Sequence, residues 1–384
     1  MISCGEASGD LYAAALTREL RALEPAAEVF GFGGPQLAAS GAELLGDYGR
    51  FAVTGLVEAL SVVPRSFRML RHLGAEARAR RPDVFVAIDF PDFNFRLLPV
   101  IHQLGIPIVY YISPQIWAWR PGRITALRRT VSRMLVIFPF EREIYQRGSI
   151  PVEFVGHPLV DLLPAAEPRD AWLAACGLDP SRPVVALLPG SRPNEIARML
   201  PEMVVAVPLI LARVPGAQFL VARAPRLSDA PFAAAATNPA IRVVEGATDH
   251  VLAASDAVVT ASGTATVQTA LHGRPMVIAY KLSMLTYVMG RAFVRLEHFG
   301  MVNLIAGRKI VPELIQRNCT PARIADETVS LLTDMARSTR MRADLAMVRE
   351  RLGDGGASRR AAQAVLEAVR SAHPVIAHRH AGVE

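Results

Sequence analysis

The sequence predicts an α/β protein made of two doubly wound, Rossmann-like domains that face a cleft, and three observations support this. The chain has 384 residues, whereas single hydrophobic cores stop growing at roughly 250–300 residues. Its hydrophobic content is 51% and its charged content 20%, which favours a chain folded almost throughout. Short apolar runs alternate with helical patterns, which is typical of parallel sheets covered by helices on both faces.

Each half of the chain contains three continuous apolar runs that predict buried strands. They are residues 83–88, 106–111 and 134–137 in the first half, and 184–188, 218–221 and 257–260 in the second. Ligands of open parallel sheets bind beyond the carboxyl ends of the strands, so the informative residues are expected in the loops that follow these runs.

Prolines interrupt the strand pattern between Leu163 and Pro183, so we place a domain boundary near residue 160. The expected N-terminal domain covers residues 1–160, and the expected C-terminal domain covers residues 161–345. A helical segment over 346–372 could pack back on the N-terminal domain, and residues 373–384 form an expected disordered tail.

Charge and cysteine content exclude some classes of protein. The net charge of +7 comes mostly from arginine, which indicates an anionic ligand: nucleic acid, a phosphorylated small molecule or acidic lipid. The arginines are dispersed and form no nucleic-acid-binding motif. Cys4, Cys176 and Cys319 lack metal or disulfide spacing, which indicates a reducing cytoplasm. We read neither a signal peptide nor a transmembrane segment.

The first candidate ligand loop is Gly5–Asp10, which leads into a helical run over Leu11–Leu23. Its glycines permit close backbone approach, and the helix start offers amides to an anion. An ordinary turn with a helix cap explains the same residues equally well.

The second candidate is Asp89, which ends a buried strand and precedes Pro91. A carboxylate there can accept a hydroxyl proton as a general base. The alternative is that an aspartate caps the following helix, and Asp92 is the better candidate for that role. A third loop carries Trp117, Trp119 and Arg120, whose aromatic rings could contact a sugar or acyl chain, or fix the loop to its own domain.

In the second half, Gly190, Ser191 and Arg192 lie between a strand and a helix start, where backbone amides and a guanidinium suit a diphosphate. Another loop, Thr260–Gln268, follows a strand and opens a helix rich in hydroxyl groups. Two anion-binding loops in one domain make phosphate binding the favoured interpretation. The spaced glycine and lysine of a P-loop are not there.

No pattern of metal ligands is visible, because the histidines do not cluster with carboxylates at ligand spacing, and Asp170 and Asp249 look like helix or turn residues. We therefore expect metal-independent chemistry and no cofactor. His157 follows a strand near the domain boundary, where a hinge or ligand contact competes with an ordinary buried histidine. Residues 51–73 form a basic amphipathic segment, which either lies on a membrane or covers a soluble core.

Taken together, the motifs resemble the lipid-A-disaccharide synthases, and the resemblance extends from Gly5 to about Arg370. Each motif alone is weak, but their order and spacing are specific. The segments that carry the resemblance are Gly5–Asp10, Ile88–Asn94, Ser113–Pro114, Trp117–Arg120, Phe138–Glu141, Gly156–Pro158, Leu188–Arg192, Ala261–Ala265 and Asn303–Arg308.

The resemblance implies a metal-independent, inverting glycosyltransferase of the GT-B fold. Such an enzyme transfers 2,3-diacylglucosamine from UDP to the 6-hydroxyl of 2,3-diacylglucosamine 1-phosphate (lipid X). It implies that Asp89 and Arg192 are catalytic, and that Glu6, Ser8 and Asp89 line the acceptor side. The residues implied on the UDP side are Gly190, Ser191, Arg192, Ser262, Gly263, Thr264, Gln268 and Asn303.

Because both implied substrates carry acyl chains, the segment near residues 51–73 becomes an expected contact with membrane lipids. The implied location is the inner face of the cytoplasmic membrane, and nucleic acid is not an expected partner. The sequence leaves the oligomeric state open, with a homodimer as one alternative. A UDP-N-acetylglucosamine 2-epimerase of the same fold and a non-catalytic membrane-associated protein are the alternative functions.

The chain departs from the family pattern at two places. It begins four residues before Gly5, where the family has a full first strand, so we expect the first sheet to lack an element and leave open whether the start is complete. Gln268 stands where relatives carry a glutamate, the position that in this fold often holds the ribose hydroxyls. An amide can still donate and accept hydrogen bonds, so we expect UDP binding with altered strength.

Overall fold

The computed structural model describes residues 1–51, 56–114, 122–164, 167–225, 227–281 and 298–372, with no side-chain description for 50–51 and 56–63. The chain divides into two compact units. The first comprises Met1–Asp161 and the chain from Leu352 onward, and the second comprises Leu162–Arg351. The chain returns to the first unit at Leu352, which lies within the segment 346–372 that was predicted to be one helical segment.

In the described part of the first unit, the strands form one seven-stranded parallel sheet with the order β3-β2-β1-β4-β5-β6-β7. Helices separate most consecutive strands, which is the doubly wound arrangement. The strands are β1 (Ile2–Ser3), β2 (Phe30–Gly33), β3 (Glu43–Asp47), β4 (Phe85–Ile88), β5 (Ile108–Tyr111), β6 (Arg133–Val136) and β7 (Val152–Phe154).

The expectation that the first sheet lacks an element is wrong. Strand β1 is short, but it lies between β2 and β4, and Ile2 pairs with both Gly31 and Val86. Ile2 is 1% exposed and Ser3 is fully buried. Two residues therefore suffice to complete the centre of the sheet, because each neighbouring strand satisfies one edge of the short strand.

Helices cover this sheet. One further helix belongs to the same unit, although it follows the second unit in the sequence. They are α1 (Ala7–Leu23), α2 (Pro35–Ala39), α3 (Leu56–Arg80), α4 (Pro91–Gln103), α5 (Arg123–Thr130), α6 (Pro139–Arg147), α7 (Leu159–Leu162) and, near the end of the chain, α16 (Ala357–Ala372). A continuous core of buried side chains, among them Phe85, Leu97 and Met134, lies between the sheet and its helices.

The returning helix α16 packs against α1 and is held by polar contacts. The carboxylate of Asp161 accepts hydrogen bonds from the backbone N–H groups of Gly356, at 2.5 Å, and Ser358, at 3.0 Å, at the start of this helix. Arg360 donates through Nε to the carbonyl oxygen of Val155 at 2.9 Å. Helix α16 is therefore an integral part of the first unit.

In the described part of the second unit, six parallel strands form a sheet with the order β10-β9-β8-β11-β12-β13. The strands are β8 (Val184–Leu188), β9 (Gln218–Arg223), β10 (Ile241–Glu245), β11 (Ala257–Thr260), β12 (Met276–Tyr280) and β13 (Glu313–Ile315). The helices are α8 (Arg169–Ala175), α9 (Pro193–Leu211), α10 (Ala233–Ala236), α11 (Thr248–Ala254), α12 (Thr264–Leu271), α13 (Met301–Ala306), α14 (Pro321–Thr333) and α15 (Met335–Arg351).

The predicted fold class is confirmed, because each unit is a parallel sheet with helices between its strands. All six predicted strands are present, although β4 and β5 begin two residues later than predicted. The carboxyl ends of each sheet's strands lie at one edge, so the loops after β1, β4 and β5 are neighbours, as are those after β8 and β11. None of the helices in the described ranges is long and apolar enough to cross a membrane.

Candidate functional site

The loop after β1 leads directly into α1, which begins at Ala7 rather than at the predicted Leu11. Glu6 is the N-cap residue, and its side chain makes no capping hydrogen bond. Glu6 and Ser8 are both partly exposed at the start of this helix. Glu6 therefore occupies the N-cap position of the predicted alternative without a side-chain capping bond, and both residues are partly exposed to solvent.

Asp10, the last residue of the same motif, has a structural role. Its side chain is 1% exposed and accepts three backbone hydrogen bonds at the start of α2. The donors are the N–H groups of Gly34 at 2.8 Å, Gln36 at 2.9 Å and Leu37 at 3.1 Å. The carboxylate thus caps a helix that lies about 25 residues further along the chain, which the sequence pattern could not indicate.

Asp89 follows β4 in a backbone conformation that is uncommon for residues other than glycine. Its φ is +43° and that of Phe90 is +49°, so two consecutive residues lie in the left-handed region. The side chain is partly exposed. A Cβ atom added to Gly5 would lie 2.2 Å from the Phe90 ring, so the glycine of the first loop makes room for the second. The structure therefore brings the first two candidate loops together.

The expected cap of α4 by Asp92 is wrong. The N-cap residue is Phe90, and no side-chain capping bond is present. Asp92 lies in the first turn and forms an ion pair with Arg123 at 3.0 Å, with its side chain 81% exposed. Its negative charge interacts favourably with the positive end of the helix dipole. Asp89 and Asp92 therefore have separate roles.

The loop after β5 is described as far as Pro114, so Trp117, Trp119 and Arg120 lie outside the described residues. Ser113 is buried and donates a 2.5 Å hydrogen bond to Oε1 of Glu141, which is 1% exposed. Oε2 of Glu141 accepts from the backbone N–H of Phe138 at 3.3 Å. The hydrogen bond between Ser113 and Glu141 thus joins two of the motifs that carry the family resemblance.

His157 is an ordinary buried histidine, 2% exposed. Its Nδ1 accepts a hydrogen bond from the backbone N–H of Leu159 at 3.2 Å, and its ring lies 6.0 Å from that of Tyr12. Burial lowers the pKa of His157 to about 3, so the ring is neutral near pH 7. The hinge or ligand contact considered from the sequence therefore has no support in these contacts.

In the second unit, the loop after β8 is shaped by a carboxylate from the helix that follows. Gly190 has a φ of +117°, and Glu195 folds back towards it. One oxygen of Glu195 lies 3.3 Å from the N–H of Ser191 and 3.4 Å from that of Arg192, and the other lies 3.3 Å from Nη1 of Arg192. The amides expected to hold a diphosphate are thus bonded to Glu195 here, while the Arg192 side chain is 58% exposed.

The loop after β11 presents an open helix start. Gly263 is the N-cap residue of α12 with a φ of +143° and without a side-chain capping bond. Gly263 and Thr264 are exposed, and a Cβ atom added to Gly263 would meet nothing within 4 Å. Ser262 donates to the carbonyl oxygen of Phe299 at 3.4 Å. Because β8 and β11 are paired, this helix start and Arg192 follow adjacent strands.

Gln268 belongs to a cluster that the sequence analysis missed. Its Nε2 donates to Oδ1 of Asp249 at 2.7 Å, and Nε2 of His272 lies 2.8 Å from the same oxygen. Burial opposes ionisation of Asp249, but the hydrogen bonds from His272 and Gln268 outweigh it and hold the pKa of Asp249 below its usual value. The contact between His272 and Asp249 was not predicted, because the two residues are 23 positions apart in the sequence.

Asn303 is fully buried, in contrast to its implied place on the UDP side. Its Nδ2 donates to the carbonyl oxygen of Val311 at 3.0 Å and to Oε1 of Glu313 at 2.7 Å. Its Oδ1 accepts from the backbone N–H groups of Ile310 at 2.8 Å and Val311 at 3.0 Å. All of its hydrogen-bonding groups are used within the protein, so Asn303 orders the chain between α13 and β13 rather than facing a ligand.

A surface cavity of about 290 Å³ lies in the second unit, beside Trp172 and His250. Two of the three arginines that line it donate hydrogen bonds to backbone carbonyl groups at helix ends: Arg274 to that of Ala253, and Arg349 to that of Leu271. These cations therefore stabilise helix ends rather than form an evident ligand site. Within the described ranges, no three His, Cys, Asp or Glu side chains stand together in a group that could hold a metal ion.

Comparison with known proteins adds evidence independent of this geometry. Residues 1–368 match the family described as lipid-A-disaccharide synthetase. The chain is 45% identical over 372 residues to the lipid-A-disaccharide synthase of Geobacter sulfurreducens, covering 96% of both chains. It is 43% identical to that of Myxococcus xanthus, again covering 96% of both.

Solved structures with the same fold are more distant in sequence. The glycotransferase of kitacinnamycin is 18% identical with a TM-score of 0.62, and the match covers 96% of this chain and 98% of that one. UDP-GlcNAc 2-epimerase from Neisseria meningitidis, bound to UDP-GlcNAc, is 10% identical with a TM-score of 0.62, covering 89% and 100%. At these identities the likeness concerns the fold alone, which transferases and epimerases share.

Proposed function

The chain belongs to the lipid-A-disaccharide synthase family and is a hexosyltransferase of lipid A biosynthesis, and from this premise we propose its substrates and mechanism. The enzyme transfers 2,3-diacylglucosamine from UDP to the 6-hydroxyl of 2,3-diacylglucosamine 1-phosphate (lipid X). The products are the β-1,6 disaccharide 1-phosphate and UDP, and the configuration at the anomeric carbon is inverted. The observation that carries the proposal lies within the second unit, where an exposed Arg192 follows β8 and the open start of α12 follows the adjacent strand β11. The first unit separately presents a partly exposed Asp89 after β4.

The diphosphate of UDP binds in the second unit. Arg192 follows β8, and the exposed amides at the start of α12, near Gly263 and Thr264, follow the adjacent strand. A guanidinium and a helix start both favour negative charge. Glu195 keeps the loop that carries Arg192 in shape through its bonds to that loop, and Ser191, Ser262 and Gln268 complete the donor side.

The acceptor sugar binds in the first unit, at the loops after β1 and β4, where Glu6, Ser8 and Asp89 lie. Asp89 takes the proton of the 6-hydroxyl as the oxygen attacks the anomeric carbon of the donor. The bond from that carbon to the diphosphate oxygen breaks on the opposite face, and UDP leaves with the bonding electrons. Arg192 and the helix-start amides stabilise the negative charge that develops on the leaving group.

A membrane surface is the proposed source of both acylated substrates. The described part of α3 exposes Arg65, Arg68, Arg71 and His72, with Phe67 47% exposed among them. Cations beside an exposed aromatic ring suit an interface rich in anionic lipid. The predicted apolar positions within residues 56–63 lie outside the part of the chain whose side chains the structure describes. We place the enzyme at the inner face of the cytoplasmic membrane on this basis.

The experiment that tests the reaction mixes UDP-2,3-diacylglucosamine and lipid X with the enzyme in detergent micelles that contain EDTA. Acceptor-dependent disaccharide formation and UDP release are the expected result, with no added metal. Epimerised sugar nucleotide without disaccharide would instead favour a 2-epimerase, and the absence of any product from folded enzyme would favour a non-catalytic protein. Proton NMR of the product distinguishes the β anomer, expected for inversion, from the α anomer.

A further inference from the structure

Two buried side chains form hydrogen bonds to the backbone of the turn that carries Asp89. The backbone carbonyl oxygen of Asp89 accepts a hydrogen bond from Nδ2 of Asn94 at 2.8 Å and another from the hydroxyl of Tyr110 at 2.8 Å. Both donors are fully buried. A carbonyl with both acceptor positions occupied by rigid donors has a fixed direction, so the peptide after Asp89 is fixed as well.

A second layer fixes the donors themselves. The hydroxyl of Ser3, on β1, donates to Oδ1 of Asn94 at 2.8 Å, which sets the orientation of the amide and aims Nδ2 at Asp89. The backbone N–H of Asn94 donates to the carbonyl oxygen of Phe90 at 3.0 Å. Tyr110 is a residue of β5, the strand next to β4 in the sheet. Three elements thus converge on one peptide group.

This arrangement opposes the backbone preference of the residues in the turn. Asp89 and Phe90 have φ values of +43° and +49°, a region that non-glycine residues rarely adopt and that persists only where surrounding contacts impose it. The direction of the Cα–Cβ bond, and with it the position of the carboxylate, depends on this backbone conformation. Loosening the turn would therefore move the carboxylate relative to any ligand.

We propose that Asn94 and Tyr110 are positioning residues that hold the carboxylate of Asp89 in its reactive place. This inference rests on the proposed function of Asp89 as the base. Neither residue touches the reacting atoms, and both act through the backbone of Asp89. A shift of about 1 Å in a catalytic group can reduce turnover by up to about 100-fold, so an effect on kcat rather than on substrate affinity is expected.

The test compares two substitutions at neighbouring positions of β5. Tyr110→Phe removes the hydroxyl that bonds to Asp89 and keeps the buried ring. Tyr111→Phe is the matched control, because Tyr111 is equally buried but its hydroxyl lies beside Ser358, on the other face of the sheet. Tyr110→Phe should lower kcat about tenfold with KM for both substrates nearly unchanged, measured well below its melting temperature, whereas Tyr111→Phe should retain wild-type kcat.

A double-mutant cycle with Asp89→Asn separates positioning from general destabilisation. If Tyr110 acts through the carboxylate of Asp89, Tyr110→Phe should cause no further loss of kcat in the Asp89→Asn background. An equal fold-loss in both backgrounds, or a kcat unchanged by Tyr110→Phe, would overturn the inference. Wild-type turnover of Asp89→Asn alone would overturn the proposed base, and with it the reason for this inference.

Ser3→Ala provides a second variant in case Tyr110→Phe folds poorly. It removes the donor that orients Asn94 but leaves both donors to Asp89 in place. The expected result is a smaller loss of kcat, about two- to fivefold, that also disappears in the Asp89→Asn background. A melting temperature lowered without any change in kcat would mean that the contact is only structural and would contradict the proposal.

Discussion

Asp89 is the residue on which the proposed chemistry depends most directly. Asp89→Asn keeps the size of the side chain but removes the base, so kcat should fall by about 100-fold or more, the usual scale for loss of a general base. UDP affinity, measured by calorimetry, should be nearly unchanged because the proposed UDP site lies in the other unit. Asp92→Asn is the matched control, since that carboxylate is 81% exposed three residues further on, and it should retain activity.

Arg192 should contribute to UDP binding instead. Arg192→Ala removes a charge-assisted contact to the diphosphate, worth about 1.5–3 kcal/mol, so the Kd for UDP should rise about 10- to 100-fold. Calorimetric titration with UDP measures this change. Arg213→Ala, at the far end of the same helix region and paired with Asp326, should leave the Kd unchanged, and an unchanged Kd in Arg192→Ala would contradict the diphosphate assignment.

His157 should make stability depend on pH. Its pKa is lowered to about 3 in the folded protein by burial, whereas that of an unfolded histidine is about 6.5. The unfolded state therefore binds the extra proton first, so this stabilisation is complete above about pH 6.5 and is lost as the pH falls towards 3. His157→Gln should flatten that dependence between pH 7 and pH 5, measured by urea unfolding of variant and wild type; equal slopes would exclude His157 as the cause.

Sequence reasoning at this scale located residues but not their partners. Asp89 and Arg192 were found because they follow buried strands, and both do. The structural roles of Asp10, Asn303 and Glu195 were missed. Asp10 and Asn303 act through hydrogen bonds to backbone groups of other elements, and Glu195 through bonds to the amides of the preceding loop. Such bonds leave no periodic pattern in the sequence.

At the scale of single elements, Asp10 should determine whether α2 stays in place. Asp10→Ala leaves three backbone N–H groups without their acceptor, so the unfolding free energy should fall by about 2–3 kcal/mol. Hydrogen exchange should speed up at Gly34, Gln36 and Leu37 in particular. Asp10→Asn retains one acceptor oxygen and should show a smaller effect, while equal protection in all three proteins would refute the assignment.

Most strands that are buried on both faces were predictable, but β12 (Met276–Tyr280) was missed although its first four residues are buried. The six predicted strands, such as Val184–Leu188, are continuous apolar runs, and nearly all of their residues are inaccessible. The edge strands β3 and β7 were missed because they are short and partly exposed, and β2 because half of its residues are glycine. The early start of α1 was missed because the sequence Ser8-Gly9 looks like a turn when considered without its surroundings.

At the scale of the whole molecule, the basic face of α3 should control membrane binding. Replacing Arg65, Arg68 and Arg71 with glutamine removes three charges, each worth about 1 kcal/mol near an anionic surface. Binding to vesicles of phosphatidylglycerol and phosphatidylcholine should therefore fall by about 100-fold in a sedimentation assay, while UDP affinity stays the same.

The control for this experiment removes the same number of charges from the second unit. Arg213, Arg317 and Arg340 are exposed there, and their replacement with glutamine should leave vesicle binding nearly intact. Equal losses in the two triple variants would mean that net charge, rather than the face of α3, attracts the protein to the vesicle.

The return of the chain to the first unit has a consequence for biosynthesis. The second unit, Leu162–Arg351, is an uninterrupted stretch of sequence, whereas the first unit needs α16, which the ribosome makes after the whole of the second unit. The second unit can therefore fold before α16 has been made. Until α16 is made, the first unit is incomplete, and the surface of α1 that receives α16 stays uncovered. A nascent chain stalled just after Arg351 would thus be a client for chaperones that bind exposed apolar helices.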